Sequence, residues 1–125
     1  MTMVDEALSI SEAAERTGLS THTLRYYERA GLMVREVDRA SSSHRRYTLA
    51  DIGWVEFLTK LRSTAMPIAR VRQYVDLVRG GEETTRARLA LLIEHRESVL
   101  AQLDEMTRSL AAIDVKIATY RKGTT

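Results

Sequence analysis

The chain has 125 residues, 44% hydrophobic and 29% charged, with a formal net charge of +2; that balance suits one compact domain plus an appendage and is too apolar for a disordered chain. Cysteine is absent, which excludes disulfides, thiolate metal sites and cysteine nucleophiles. The histidines, His22, His44 and His95, lie too far apart in sequence for a structural zinc site, so no metal and no cofactor is expected.

No Ser-His-acid spacing and no phosphate-cradling glycine loop appears, so no catalytic residue and no enzymatic activity is expected. No apolar run approaches the roughly 18 residues of a membrane span. The acidic start "MTMVDEALSI" does not read as a signal peptide, which gives a cytoplasmic expectation with residues 1–7 as a flexible N-terminus. The charge is uneven. Residues 16–46 carry seven arginines against Glu28, Glu36 and Asp38, a local sum of +4, whereas residues 81–125 hold seven charges of each sign. Arginine's planar fork suits phosphates and guanine edges, although a solvated surface would also show such charges.

In chain order, residues 9–17 read as a first helix, with Ser9 or Ser11 as N-cap, Glu12 as capping-box partner and Gly18 as terminator. Ser20 caps a second helix over 21–30, closed by Gly31. Two short helices joined by "TGLS" fit a helix-turn-helix, a pattern that many small helical proteins also contain. At about 100° per residue, Leu24, Tyr27 and Gly31 share one side of the second helix and His22, Arg25, Tyr26 and Arg29 the other. Tyr27 is therefore predicted in the core. Tyr26 is predicted at the surface, where an Arg-Tyr pair suits phosphates, the alternative being a tyrosine without a partner.

Residues 32–37 alternate like a strand, 39–43 form a turn, and 44–48 return as a second strand, so the helix-turn-helix carries a wing. A third helix is predicted over 49–63, largely buried around Trp54, with Asp51 complementing its dipole. Pro67 is placed at N1 of a fourth helix over 68–78, and the glycines of 80–85 read as a hinge. From residue 86 onward Leu89, Leu92, Arg96, Val99, Leu103, Met106, Leu110, Ile113, Ile117 and Tyr120 recur at alternating spacings of three and four. This is a heptad seam. A rod of roughly 52 Å is too long to bury its stripe against so small a domain, so it is expected to pair with a second copy rather than fold back. Arg96 inside the seam fits a register-fixing role, or else lines a small pocket near the dimer junction.

The stretches "ISEAAERTGLSTHTLRYYERAGL", "RRY" and "DIGWVEFLTKLRSTAMPI", followed by the heptad helix, resemble the MerR family of transcription regulators over nearly the whole chain. The third-helix pattern and "IDVKIATY" look most like the branch concerned with alcohol and aldehyde stress. The resemblance implies a mainly α fold, with a winged helix-turn-helix DNA-binding domain over 8–79, a hinge at 80–85 and an antiparallel coiled-coil dimerisation helix over 86–121, residues 122–125 forming a tail. It implies a homodimer on double-stranded, pseudo-palindromic promoter DNA that bends and untwists an overlong spacer, reaching RNA polymerase only through the promoter. Ser20, Thr21, His22 and Thr23 then stand at the start of the recognition helix, where base edges are reached. Arg25 and Tyr26 match the family's phosphate-binding pair, with Arg29 beside them. In the wing, Arg45, Arg46 and Tyr47 are carried over as contacts, while His44 replaces the family's usual tyrosine.

Arg16 is placed where the first helix touches the backbone, and Lys60 and Arg62 are weaker candidates, since Arg62 could instead pair with an acid. Two departures stand out. Ala65 occupies the place of a usual glycine, at a cost of around 1 kcal/mol if that turn is left-handed. The sensing cysteine of many branch members is missing from the stretch Phe57 to Lys60, and no effector domain is expected after the coiled coil. An unidentified small-molecule effector remains a possible partner, expected in a cleft between the fourth helix and the coiled coil. A plain repressor or architectural DNA-binding protein, or a coiled-coil protein-interaction module, are the alternative functions.

Overall fold

Residues 8–34, 38–39 and 45–124 are described by the computed structural model. The elements run α1 (Ile10–Thr17), α2 (Thr21–Arg29), β1 (Asp38–Arg39), β2 (Arg45–Arg46), α3 (Leu49–Ser63), α4 (Ile68–Arg79), a 3-10 turn (Glu82–Thr84) and α5 (Thr85–Gly123). The chain divides into two units, Met1–Arg88 and Leu89–Thr125.

Local capping chemistry sets the first unit's helices. Of the two candidate serines, Ser9 is the N-cap of α1: its hydroxyl accepts from the Glu12 N–H at 3.2 Å, and the Glu12 carboxylate accepts from the Ser9 N–H at 3.0 Å. Gly18 then takes φ 74° and donates its N–H to the Ala14 carbonyl. Thr17 adds a part unforeseen in the sequence, since its hydroxyl accepts from the Leu19 N–H and so stiffens the corner between α1 and α2. A second reciprocal box opens α3, where Thr48 and Asp51 exchange bonds of 2.9 and 3.1 Å. That partner explains why the carboxylate of Asp51 tolerates burial. Pro67 stands one residue earlier than expected, as the N-cap of α4 rather than at N1.

The core forms where α1 packs on α2 and α3, and α3 packs on α4. Ala13 lets α1 approach closely, while Leu24 and Tyr27, then Ile52, Val55, Leu58 and Leu61, then Val71 and Val75 supply apolar faces at helical spacing. Phe57, on a third helix expected to be largely buried, sits at the surface with its ring 5.7 Å from that of Tyr74, which in turn stacks on Trp54 at 5.9 Å.

Among the described residues, the paired strands of the wing lie at 38–39 and 45–46 rather than starting at residue 32. β1 and β2 pair antiparallel with Asp38 opposite Arg46 and Arg39 opposite Arg45. Residues 32–34 are not a strand, because Leu32 and Met33 turn their side chains into the core and their carbonyls bond to side chains instead. Of the expected turn at 39–43, Arg39 belongs to β1 instead, while 40–43, with residues 35–37, His44 and the expected flexible terminus at 1–7, lie outside the described residues. An unforeseen isolated bridge lies beside the wing: Leu8 and Tyr47 exchange two backbone hydrogen bonds, of 2.8 and 2.7 Å.

The second unit is the greater part of α5, one continuous helix of 39 residues, or about 58 Å at about 1.5 Å per residue. Leu91, outside the seam, is its one buried side chain among the described residues. Most seam residues are exposed in the single chain, with Leu92 and Val99 half-buried.

Candidate nucleic-acid interface

The second helix is built to show one face. Ser20 caps it, its hydroxyl accepting from the Thr23 N–H at 3.0 Å and lying 3.0 Å from the Thr23 hydroxyl. Unlike α1 and α3, α2 carries no acid in its first turn, so the positive end of its dipole is left unneutralised beside Thr21 and His22. Burial then divides the adjacent tyrosines as the helical geometry predicts. Tyr27 is 7% exposed and Tyr26 39% exposed, with the two rings edge-on at 6.2 Å. Tyr27 thus forms part of the core and also a platform against which the outward ring rests.

His22, Arg25, Tyr26 and Arg29 are all exposed along the outer face. The one acid of α2, Glu28, is half-buried and accepts a hydrogen bond from the Tyr47 hydroxyl. The outer face is therefore cationic along its length.

Tyr47 requires a correction. It is wholly buried, at 0% exposure, and its hydroxyl is committed to Glu28, so the side chain is a core strut between α2 and the wing rather than a surface contact. The sequence signal for this was weak, because its partner stands 19 residues away. Arg62 is likewise taken up internally, donating from Nη1 to the Met66 carbonyl at 2.7 Å rather than pairing with an acid. Arg16, in the last turn of α1, and Lys60 are exposed. Arg45 and Arg46 lie in β2.

The MerR HTH family of regulatory proteins matches residues 8–77, more than half of the chain. This chain belongs to the MerR family. It is 32% identical over 113 residues to an uncharacterised HTH-type transcriptional regulator of Haemophilus influenzae, covering 90% of this chain and 83% of that protein. To the regulator AdhR of Bacillus subtilis it is 36% identical over 93 residues, covering 74% of this chain and 66% of AdhR. Among solved structures, HiNmlR, a MerR-family regulator lacking the sensor domain and crystallised on promoter DNA, superposes with a TM-score of 0.87 at 30% identity, over 93% of this chain and 87% of that one. A MerR-family protein of Listeria monocytogenes gives 0.84 at 36% identity, over 90% and 85% of the two chains. The MerR protein described here is accordingly a DNA-binding transcriptional regulator of helix-turn-helix type. Among its described residues, no helix is long and apolar enough to cross a membrane.

Proposed function

We propose that this MerR regulator works as a homodimer on promoter DNA, distorting an overlong spacer so that polymerase engages both promoter elements. The observation that carries this reading is the seam of α5. Leu103 is 58% and Met106 70% exposed in the single chain, and Leu110, Ile113 and Ile117 continue the same stripe. A lone soluble chain rarely leaves so long an apolar row in water, and pairing two copies buries it. Two reading heads at a fixed separation then address two half-sites, as a twofold assembly requires.

On this reading residues 8–79 form the DNA-binding domain, 80–85 the hinge and 86–121 the dimerisation helix, with Arg96 setting register. Ser20, Thr21, His22 and Thr23 approach base edges. Arg16, Arg25, Tyr26 and Arg29, together with Arg45 and Arg46 of the wing, hold phosphates and so offset the cost of bending the duplex, which is of order several kcal/mol. The complex of HiNmlR with promoter DNA supports the choice of ligand.

Light scattering at micromolar concentration is expected to give twice the chain mass, and a single-chain mass would end the proposal. Transcription from a promoter with its natural long spacer should depend on the protein, and shortening the spacer should remove that dependence; equal responses would leave a plain repressor. Arg25→Ala is expected to weaken operator binding by about 1–3 kcal/mol and lower the salt slope by about one, with unchanged affinity rejecting the assigned face.

A further inference from the structure

Four consecutive carbonyls leave the recognition helix toward the wing, those of Gly31, Leu32, Met33 and Val34. Backbone acceptors need donors, and here the donors are side chains from two other helices. Arg79, the last residue of α4, donates from Nη2 to Gly31 O at 2.9 Å and also to Met33 O, and from Nε to Val34 O at 3.2 Å. Trp54 of α3 donates from Nε1 to Leu32 O at 2.7 Å. The buried side chains of Leu32 and Met33 pin the same stretch from its other side. Residues 31–34, the described part of the connection between the recognition helix and the wing, are thereby each held through the carbonyl.

We infer that Arg79 is a positioning residue for DNA reading: its guanidinium fixes the wing root relative to α2 without itself touching DNA. The inference rests on the DNA-binding reading of α2 and the wing and adds to it the device that keeps the two in register. Only an arginine fits the task. Its planar fork offers donors in fixed directions and spans three carbonyls, whereas a lysine ammonium is a compact point charge. Arg79 is itself exposed, so in its absence water reaches the outer carbonyls and the fold loses little. What is lost is the fraction of molecules with helix and wing correctly spaced. If that fraction falls to about one-tenth, apparent affinity falls about tenfold.

The test uses the full chain and two duplexes, one carrying the sequence immediately upstream of the protein's own coding region and one of random sequence. Arg79→Ala and Arg79→Lys are each expected to bind the upstream duplex roughly tenfold more weakly with an unchanged salt slope, whereas Arg25→Ala lowers the slope by about one. Amide hydrogen exchange without DNA, read over 32–34 at the Leu32 N–H that Tyr27 O accepts, should be faster in both Arg79 variants and not in Arg25→Ala. Wild-type affinity in Arg79→Ala, full recovery in Arg79→Lys, a slope lowered as for Arg25→Ala, or unchanged exchange at 32–34 would each overturn the inference. If the wild type binds both duplexes equally, the regulatory reading fails, and the exchange measurement still decides whether Arg79 holds this stretch.

Discussion

The helices α2 and α3 close with the same hydrogen-bonded turn but carry different residues at its left-handed position. After α2, the Leu32 N–H reaches Tyr27 O at 2.9 Å, the Gly31 N–H reaches Glu28 O at 3.2 Å, and Gly31 has φ 71°. After α3, the Met66 N–H reaches Leu61 O at 3.0 Å, the Ala65 N–H reaches Arg62 O at 3.0 Å, and Ala65 also has φ 71°. Both are Schellman motifs, whose left-handed position favours glycine. Ala65 is exposed, so its methyl group contributes no packing to set against the strain. Relieving a left-handed Cβ returns about 1–2 kcal/mol, and the freer unfolded chain of a glycine takes back about 0.4–1. Ala65→Gly should therefore stabilise the protein by about 0.8 kcal/mol, the difference of those two effects at their centres. For a domain of this size that is a rise in Tm of roughly 3–6 °C. Gly31→Ala, where an added Cβ meets no atom within 4 Å, should lose a similar net amount, the left-handed strain less the gain from a stiffer unfolded chain. Thermal melts at one fixed chain concentration measure both, since a dimer's Tm moves with concentration. A Tm that stays level or falls in Ala65→Gly would refute the reasoning.

Other residues give shorter tests. Tyr47→Phe removes the bond to Glu28 from the core and should cost about 1–2 kcal/mol by denaturant titration while leaving the salt slope of DNA binding unaltered; a lowered slope would restore Tyr47 as a phosphate contact. If α5 pairs as proposed, Leu103→Glu puts a carboxylate in the seam of each helix and removes two burials of about 1.5–3 kcal/mol each, so sedimentation should find single chains, and persistent dimers would move the interface elsewhere. The Glu12 carboxyl is held below the ordinary glutamate range by the Ser9 N–H and then by the Ser9 hydroxyl. Its lowered folded-state pKa gives α1 a stabilisation present above the ordinary range and lost as pH falls through the lowered value. Wild-type Tm should thus fall further than that of Glu12→Gln between about pH 6 and pH 3, and parallel curves would remove Glu12 from the cap.

What the sequence disclosed tracks the distance over which each interaction acts. The Ser9–Glu12 box, the Ser20 cap, Gly18 and Gly31 all operate within five residues, and helical spacing alone placed Tyr26 outward and Tyr27 inward. Residues 32–34 failed as a strand for the opposite reason. Their alternation is genuine, but what decides their conformation is donors from Trp54 and Arg79, which stand 22 and about 45 residues further along the chain. The Leu8–Tyr47 pairing likewise joins two segments that no local pattern connects.

Charge shows the same division between counting along a chain and placing in space. Summed over 16–46, Glu28 cancels one of the arginines. In the fold its carboxylate turns to the buried Tyr47 hydroxyl, and the outward residues of α2 are His22, Arg25, Tyr26 and Arg29. On the proposed DNA-binding reading, a phosphate approaching that face would meet guanidinium groups and a helix end with no acid in its first turn. The modest +2 of the whole chain therefore says little about binding, because screening lets DNA respond to the local face and not to the balanced charges of α5. Tyr47, by drawing Glu28 inward, contributes to that face without belonging to it.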